Sequence, residues 1–276
     1  MTTFTAPGAS GRKTMLNKVP EVTIAFWVIK VLATTVGETF ADYLSDTLGL
    51  GLQVTSIIMA VLLAIVLVIQ FRARRYVPAI YWLAVVLISV VGTLVSDNLV
   101  DNLGVPLIVT TIAFAVLLAA TFTVWFVSEK TLSIHSILTT RREGFYWATI
   151  LFTFALGTSA GDLLAERLAL GYLPSALLFL GMIGLVALAH YALKLGAVLS
   201  FWIAYVLTRP LGASTGDYLS QATKDGGLGL GTTTTSLIFW SVILVVVAFL
   251  SWREFSARAR TVTTPGGLKA GHLDPA

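Results

Sequence analysis

Residues 26–42, FWVIKVLATTVGETFAD, hold the pattern that decides the fold. An aromatic residue and Trp27 are followed ten residues later by Gly37, and five residues after that by Asp42. The same spacing returns as Tyr81-Trp82 with Gly92 and Asp97, Tyr146-Trp147 with Gly157 and Asp162, and Phe201-Trp202 with Gly212 and Asp217. The Gly-to-Asp segments read GETFAD, GTLVSD, GTSAGD and GASTGD. Two residues past each Asp stands Leu44, Leu99, Leu164 or Leu219, and a Gly-containing turn follows. Four copies in register, with tryptophan spacings of 55, 65 and 55, are the mark of a tandem repeat.

Working outward, each copy contains two long apolar stretches. Of the 276 residues 57% are hydrophobic and 12% charged, too little polar surface to wrap a soluble globule of this size. A bilayer-spanning helix needs roughly 20 mostly apolar residues. Eight such stretches lie near 22–46, 52–71, 78–101, 105–127, 144–166, 171–193, 198–221 and 232–252. The expected fold is therefore an all-α polytopic membrane protein, eight transmembrane helices arranged as four two-helix repeats at about 21–77, 78–140, 141–197 and 198–255. Two crossings per copy make these parallel repeats, related by an axis along the membrane normal. The ends, 1–20 and 256–276, read as disordered cytoplasmic tails. The first apolar run lacks a small-residue cleavage site and reads as a retained helix.

The net charge of +4 follows topology. Arg12, Lys13 and Lys18 precede the first helix, Arg72, Arg74 and Arg75 follow the second, Lys130, Arg141 and Arg142 follow the fourth, and Arg253, Arg258, Arg260 and Lys269 follow the eighth. The alternate loops are acid-rich, so the positive-inside rule places both termini in the cytoplasm. There is no basic-aromatic patch for nucleic acid, and membrane lipid is the expected surrounding. Cysteine is absent, which removes disulfides and thiolate metal sites.

Four tandem two-helix repeats, each with its Trp, resemble a family of uncharacterised bacterial membrane-anchored proteins defined by a repeat of unknown function. The resemblance covers roughly residues 20–255. It implies the eight-helix layout and a bacterial inner membrane; it brings no activity, so function has to come from the residues.

An α-helix returns to nearly the same face every four residues. The Asp stripes are Lys30, Thr34, Glu38, Asp42 and Asp46 in the first copy and Ser89, Thr93, Asp97 and Asp101 in the second. The third copy gives Thr158, Asp162 and Glu166, and the fourth Arg209, Ala213, Asp217 and Gln221. A charge facing lipid costs a few kcal/mol at least, so these stripes are expected to face protein or water. Small residues four apart occupy an adjacent face: Gly37 and Ala41, Gly92 and Ser96, Gly157 and Gly161, Gly212 and Gly216. Such pairs drive close packing of membrane helices, which predicts the odd-numbered helices inside. Trp27, Trp82, Trp147 and Trp202 read as interface anchors, with Asp42 about 22 Å along the helix from Trp27.

The outer half then holds Glu38, Asp42, Asp46, Asp97, Asp101, Asp162, Glu166, Asp217 and Asp225 against Arg167, Arg209 and Lys224, a negative funnel that concentrates cations. The functional expectation is a secondary transporter or exporter of a small hard inorganic cation (metal ion or proton-coupled). Asp42, Asp97, Asp162 and Asp217 would hold the ion, Glu38, Asp46, Asp101, Glu166, Thr93 and Thr158 would line the path, and Lys30 and Arg209 would serve as charge partners. His135, His190 and His272 lie off the stripes, which argues against copper or zinc. A bland reading stands beside this one: each Asp caps its Gly-rich turn or bonds a Ser or Thr of the next helix, and Lys30 snorkels to the cytoplasmic interface. Pro210 is expected to kink the seventh helix and free a carbonyl. The alternative function is a non-transporting sensor or scaffold that binds a partner through its basic loops. No base or nucleophile constellation or cofactor motif stands out, so neither an enzyme nor a cofactor is expected.

Overall fold

The computed structural model describes residues 17–262. The segments 1–16 and 263–276, with Arg12, Lys13, Lys269 and His272, lie outside the described residues. Eight long helices follow one another: α1 (Ile24–Asp42), α2 (Gly51–Arg72), α3 (Pro78–Asp97), α4 (Leu107–Glu129), α5 (Thr140–Asp162), α6 (Tyr172–Ala192), α7 (Ala197–Ser220) and α8 (Gly231–Val262). No strand occurs among the described residues. Seven of the eight are long and apolar enough to cross a membrane, the composition of a multi-pass membrane protein. The exception, α7, has 24 residues but carries Arg209, Pro210 and Asp217.

The odd helices form the inner layer, because there the small residues lie. A Cβ added to Gly37 would fall 2.5 Å from the Cβ of Ser89, and one on Gly212 would fall 2.5 Å from the Cβ of Thr34. Gly92 meets Phe154 and Gly157 meets Arg209 in the same way. Each repeat's Gly thus packs on the residue seven positions past the Trp of the next repeat, and the fourth repeat closes on the first. The result is a ring, α1–α3–α5–α7–α1, with a quasi-fourfold axis. Gly161 meets Ala213 and Ser214 at ordinary contact distance, and Gly216 fits closely against Thr39.

The outer layer is displaced by one repeat. Helix α2 packs on α3, α4 on α5, α6 on α7, and α8 returns to α1. These helices leave Ile57, Val61, Ile65, Ile112, Val116, Leu177, Leu185, Leu237 and Val245 exposed, a continuous apolar coat suited to acyl chains.

At the Asp end of α1, α3 and α5 the helix does not stop but widens. Tyr43–Thr47, Asn98–Asn102 and Leu163–Arg167 each form one π-helical turn. The turns close with Leu48 N donating to Tyr43 O at 2.9 Å, Leu103 N to Asn98 O at 3.1 Å and Leu168 N to Leu163 O at 2.9 Å. The following residues repeat as well: Leu50 N reaches Leu44 O, Val105 N reaches Leu99 O and Leu170 N reaches Leu164 O. In the fourth copy Leu230 N makes the equivalent bond to Leu219 O, and an extra loop replaces the π turn.

Two expected boundaries move. Residues 17–20, read as tail, are tied down: Lys18 Nζ donates to Glu143 Oε2 at 2.6 Å and to Phe71 O at 3.0 Å, and Lys18, Val19 and Pro20 are buried. Gln70 Nε2 completes that network on Glu143 Oε1 at 3.2 Å. Helix α8 continues to Val262, past residue 256 where the second tail was expected to start.

Candidate functional site

Along the axis of the inner ring the side chains fall into three layers, each built from equivalent positions of the four repeats. The lowest is aromatic. Phe26 meets Trp82 at 5.6 Å between ring centroids, Tyr81 meets Trp147 at 5.6 Å, Tyr146 meets Trp202 at 6.2 Å and Phe201 meets Trp27 at 5.7 Å. The aromatic residue of one repeat therefore always touches the Trp of the next, in the same cyclic order as the glycines. Trp82, Trp147 and Trp202 are buried, which corrects their assignment as interface anchors; Trp27 alone is partly exposed. Composition could not separate the two roles, because an aromatic floor and an aromatic belt use the same residue. The Tyr81 and Tyr146 hydroxyls are hydrogen-bonded within the floor, and Trp202 Nε1 donates to Leu132 O at 2.9 Å, tying in the connector between α4 and α5.

The middle layer holds the buried charges. Arg209 is fully buried. Its Nη1 donates to Thr34 O at 3.0 Å, and its Nη2 to Glu38 Oε2 at 2.6 Å, to Thr158 Oγ1 at 2.6 Å and to Thr93 Oγ1. Thr93 Oγ1 in turn donates to Glu38 Oε2 at 3.2 Å. Glu38, Thr93 and Thr158 are the residues immediately after the repeat Gly in the first three copies, and Ala213 takes that position in the fourth. One guanidinium from repeat four thus gathers the equivalent polar groups of repeats one, two and three. The neighbouring Pro210 supplies no N–H to the helix ladder, and Thr208 O accepts from Thr34 Oγ1 at 3.2 Å, a further tie between α1 and α7.

Lys30 is also fully buried, so it does not snorkel to an interface. It does not reach an acid either. Its Nζ lies 4.1 Å from the centre of the Phe154 ring and 4.3 Å from that of Tyr205, with no hydrogen-bond partner. Arg209 Cζ lies 5.7 Å from the same Phe154 ring.

The upper layer is acidic and graded in exposure. Glu38 and Asp217 are buried, Asp42, Asp97 and Asp162 are half-buried, and Asp46, Asp101 and Glu166 are exposed. Oxygens of Glu38, Asp162 and Asp217 lie within 4.8 Å of one another, and Asp42 and Asp97 are within electrostatic reach of Glu38. The exposed acids sit on the π turns at the rim, where Tyr172 Oη donates to Glu166 Oε1 at 3.2 Å. None of Asp42, Asp97 and Asp162 caps the turn that follows it. Capping therefore does not account for their recurrence.

With the repeat geometry established, the comparisons fall into place. A repeat of unknown function, DUF347, matches the chain at residues 25–76, 80–131, 145–195 and 200–256. The chain belongs to that family. These four segments coincide closely with the repeats read from the Trp, Gly and Asp spacing. No curated protein and no solved structure matches.

Thr34, Phe154, Tyr205 and Ser89 were not singled out as site residues by the sequence reading. The signal that finds them is the alignment of the four copies by register. Seven positions past the Trp stand Thr34, Ser89, Phe154 and Arg209, and three positions past it stand Lys30, Val85, Ile150 and Tyr205. The columns nearest the axis are those in which the copies disagree.

Proposed function

We propose that this member of the DUF347 family is a secondary transporter or exporter of a small hard inorganic cation. In this reading it crosses the bacterial inner membrane eight times with both termini in the cytoplasm. Exposed Arg72, Arg74, Arg75, Lys130 and Lys194 gather at the end that carries the aromatic floor, where Glu21, Glu129 and Glu143 also lie, and the stripe acids gather at the opposite end, which supports that orientation. Helix α7 is accommodated in the membrane because its Arg209 is enclosed by the inner ring.

The observation that carries the proposal is a buried Glu38–Arg209 ion pair beneath carboxylates that grade from buried to exposed. A cation entering from the rim meets Asp46, Asp101 and Glu166 while still hydrated. It then exchanges water for the half-buried carboxylates. Hard divalent ions take oxygen ligands at about 2.0–2.6 Å, so oxygens of Glu38, Asp162 and Asp217 lying within 4.8 Å of one another can share one ion. With all groups ionised, these three carboxylates and Arg209 leave two negative charges uncompensated, which favours a divalent cation over a monovalent one. Binding needs Glu38 to release Arg209. The guanidinium keeps its bonds to Thr34 O, Thr93 and Thr158, and so acts as a tethered cation that occupies the site when no ion does.

The test is flux into proteoliposomes containing the full chain, with Mn²⁺ as the probe and Mg²⁺ and Ca²⁺ as competitors. Glu38→Gln and Asp162→Asn are expected to abolish uptake while leaving the elution profile in detergent unchanged. Uptake at the wild-type rate by either folded variant overturns the assignment. A sensor or scaffold would show no uptake in the wild-type chain.

A further inference from the structure

Lys30 is the buried charge that the cation pathway leaves unused. It sits on α1, two turns below Glu38, in a column where the other repeats carry Val85, Ile150 and Tyr205. A lysine kept for structure inside a membrane bundle pairs with a carboxylate or with backbone carbonyls. This one does neither: its Nζ is held between the faces of Phe154 and Tyr205. The groups that face it can be named helix by helix. From α7 come Arg209 and Tyr205, from α5 comes Phe154, and the Tyr146 hydroxyl of α5 and the Tyr81 hydroxyl of α3 stand behind Tyr205. On its own helix Glu38 is already engaged by Arg209. The contact of α8 with α1 is made by the uncharged Ser236 and Thr39, at 2.9 Å.

We propose that Lys30 carries the proton exchanged for the transported cation, driven off and recaptured as Arg209 loses and regains Glu38. This rests on the transport reading and assigns its coupling. At rest the charge of Arg209 is compensated by Glu38, and the Lys30 ammonium is stabilised by the two ring faces. When a divalent cation takes Glu38 from Arg209, the acid cluster with its guanidinium goes from two net negative charges to none, and the field that held the Lys30 ammonium in a low-dielectric interior is lost. The N–H bond of Lys30 then breaks, its electron pair stays on nitrogen as the neutral amine, and the proton leaves to cytoplasmic water through the tyrosine hydroxyls of the floor, each taking one proton on its oxygen as it gives up its own. There the Tyr205 hydroxyl is paired with that of Tyr146, and the Tyr146 hydroxyl with that of Tyr81. When the cation leaves and Glu38 recaptures Arg209, the amine takes a proton back. The cation and the proton are thus never bound together, which is the requirement for exchange.

The experiment uses the full chain in proteoliposomes loaded with a fluorescent pH reporter, with an imposed Mn²⁺ gradient and a parallel isotopic Mn²⁺/Mn²⁺ exchange assay that needs no net proton movement. Wild type is expected to move protons against Mn²⁺. Lys30→Met is expected to retain isotopic exchange and to lose the proton movement. Lys30→Arg, which keeps the cation on the rings but cannot release its proton, is expected to do the same and serves if the Met variant does not fold. Proton movement at the wild-type rate in either variant overturns the proposal. Mn²⁺ transport by wild type without proton movement overturns it too, while leaving the transport reading intact. Absence of Mn²⁺ and proton movement in wild type removes the transport reading itself.

Discussion

A double-mutant cycle on Glu38 and Arg209 tests the centre of the molecule without reference to any substrate. Both side chains are almost wholly enclosed, 0% exposed for Arg209 and 7% for Glu38, so the solvent screening that weakens surface pairs does not operate. In Arg209→Met the Glu38 carboxylate keeps one protein donor, Thr93 Oγ1 at 3.2 Å. Leaving one member of a buried pair uncompensated costs about 3–5 kcal/mol. Glu38→Gln is milder, because the amide oxygen still accepts from Nη2. What it loses is the charge-assisted part of the bond, about 1.5–3 kcal/mol. The double variant Glu38→Gln with Arg209→Met leaves neither member of this pair charged and alone, so its loss is expected to fall below the sum of the single losses by about 2 kcal/mol, within the range seen for contacting residues. The assay is unfolding in mixed detergent micelles followed by the fluorescence of the seven tryptophans, most of which report on the inner layers. In a chain of this size each kcal/mol corresponds to roughly 2–4 °C in melting temperature, so Arg209→Met should melt about 6–20 °C below wild type. Single losses that add to the double loss within about 0.5 kcal/mol would mean that the pair contributes no coupling, and the tethered-cation role of Arg209 would fall with it.

The cyclic packing of the inner ring predicts that Gly212→Val destabilises by about 1–3 kcal/mol, since its branches would run into the Thr34 side chain and backbone. Gly184→Ala on α6, where an added Cβ meets open space, should instead gain up to about 1 kcal/mol of helix propensity. Equal melting temperatures for the two variants would contradict the ring. At the rim, neutralising Asp46, Asp101 and Glu166 together should slow Mn²⁺ entry at low ionic strength and leave the rate at 0.5 M salt close to wild type, because exposed charges act by steering and are screened. A rate that falls equally at both salt concentrations would make them ligands instead.

The helices, their number and the repeat were legible because they rest on apolar length and on residues that recur. Glycine was legible as a packing residue, but not what it packs on: the spacing cannot show that Gly157 meets Arg209 from the following copy, since that depends on the closure of the ring. The widening of α1, α3 and α5 into π turns was hidden because the apolar period does not record where the hydrogen-bond ladder slips by one residue. Trp82 and Trp147 were misplaced because burial by a neighbouring repeat is a tertiary event. Lys18 was taken for a tail residue because its partner Glu143 lies 125 positions away in the chain.

Symmetry itself explains where chemistry can be placed in this fold. Residues that pack between neighbouring helices recur in all four copies, because each of the four tryptophans and glycines fits against a neighbouring repeat in the same way. Four equivalent acids are still tolerable at Asp42, Asp97, Asp162 and Asp217, because the first three are half-buried and within reach of solvent, which spreads their charges. Nearer the floor the same rule fails: four guanidiniums or four ammonium groups on one axis would repel one another in a low dielectric by far more than packing could offset. A quasi-symmetric ring can therefore hold a buried ion pair only if its copies diverge at the axial columns. Here they do, with Glu38, Thr93, Thr158 and Ala213 in one column and Thr34, Ser89, Phe154 and Arg209 in another. A duplicated unit that had only to fill space would need no such divergence, since small apolar residues would pack the axis more stably than a buried ion pair. That the axis holds Arg209 with Glu38, and an unpaired lysine beneath them, marks it as the part of the molecule kept for something other than stability.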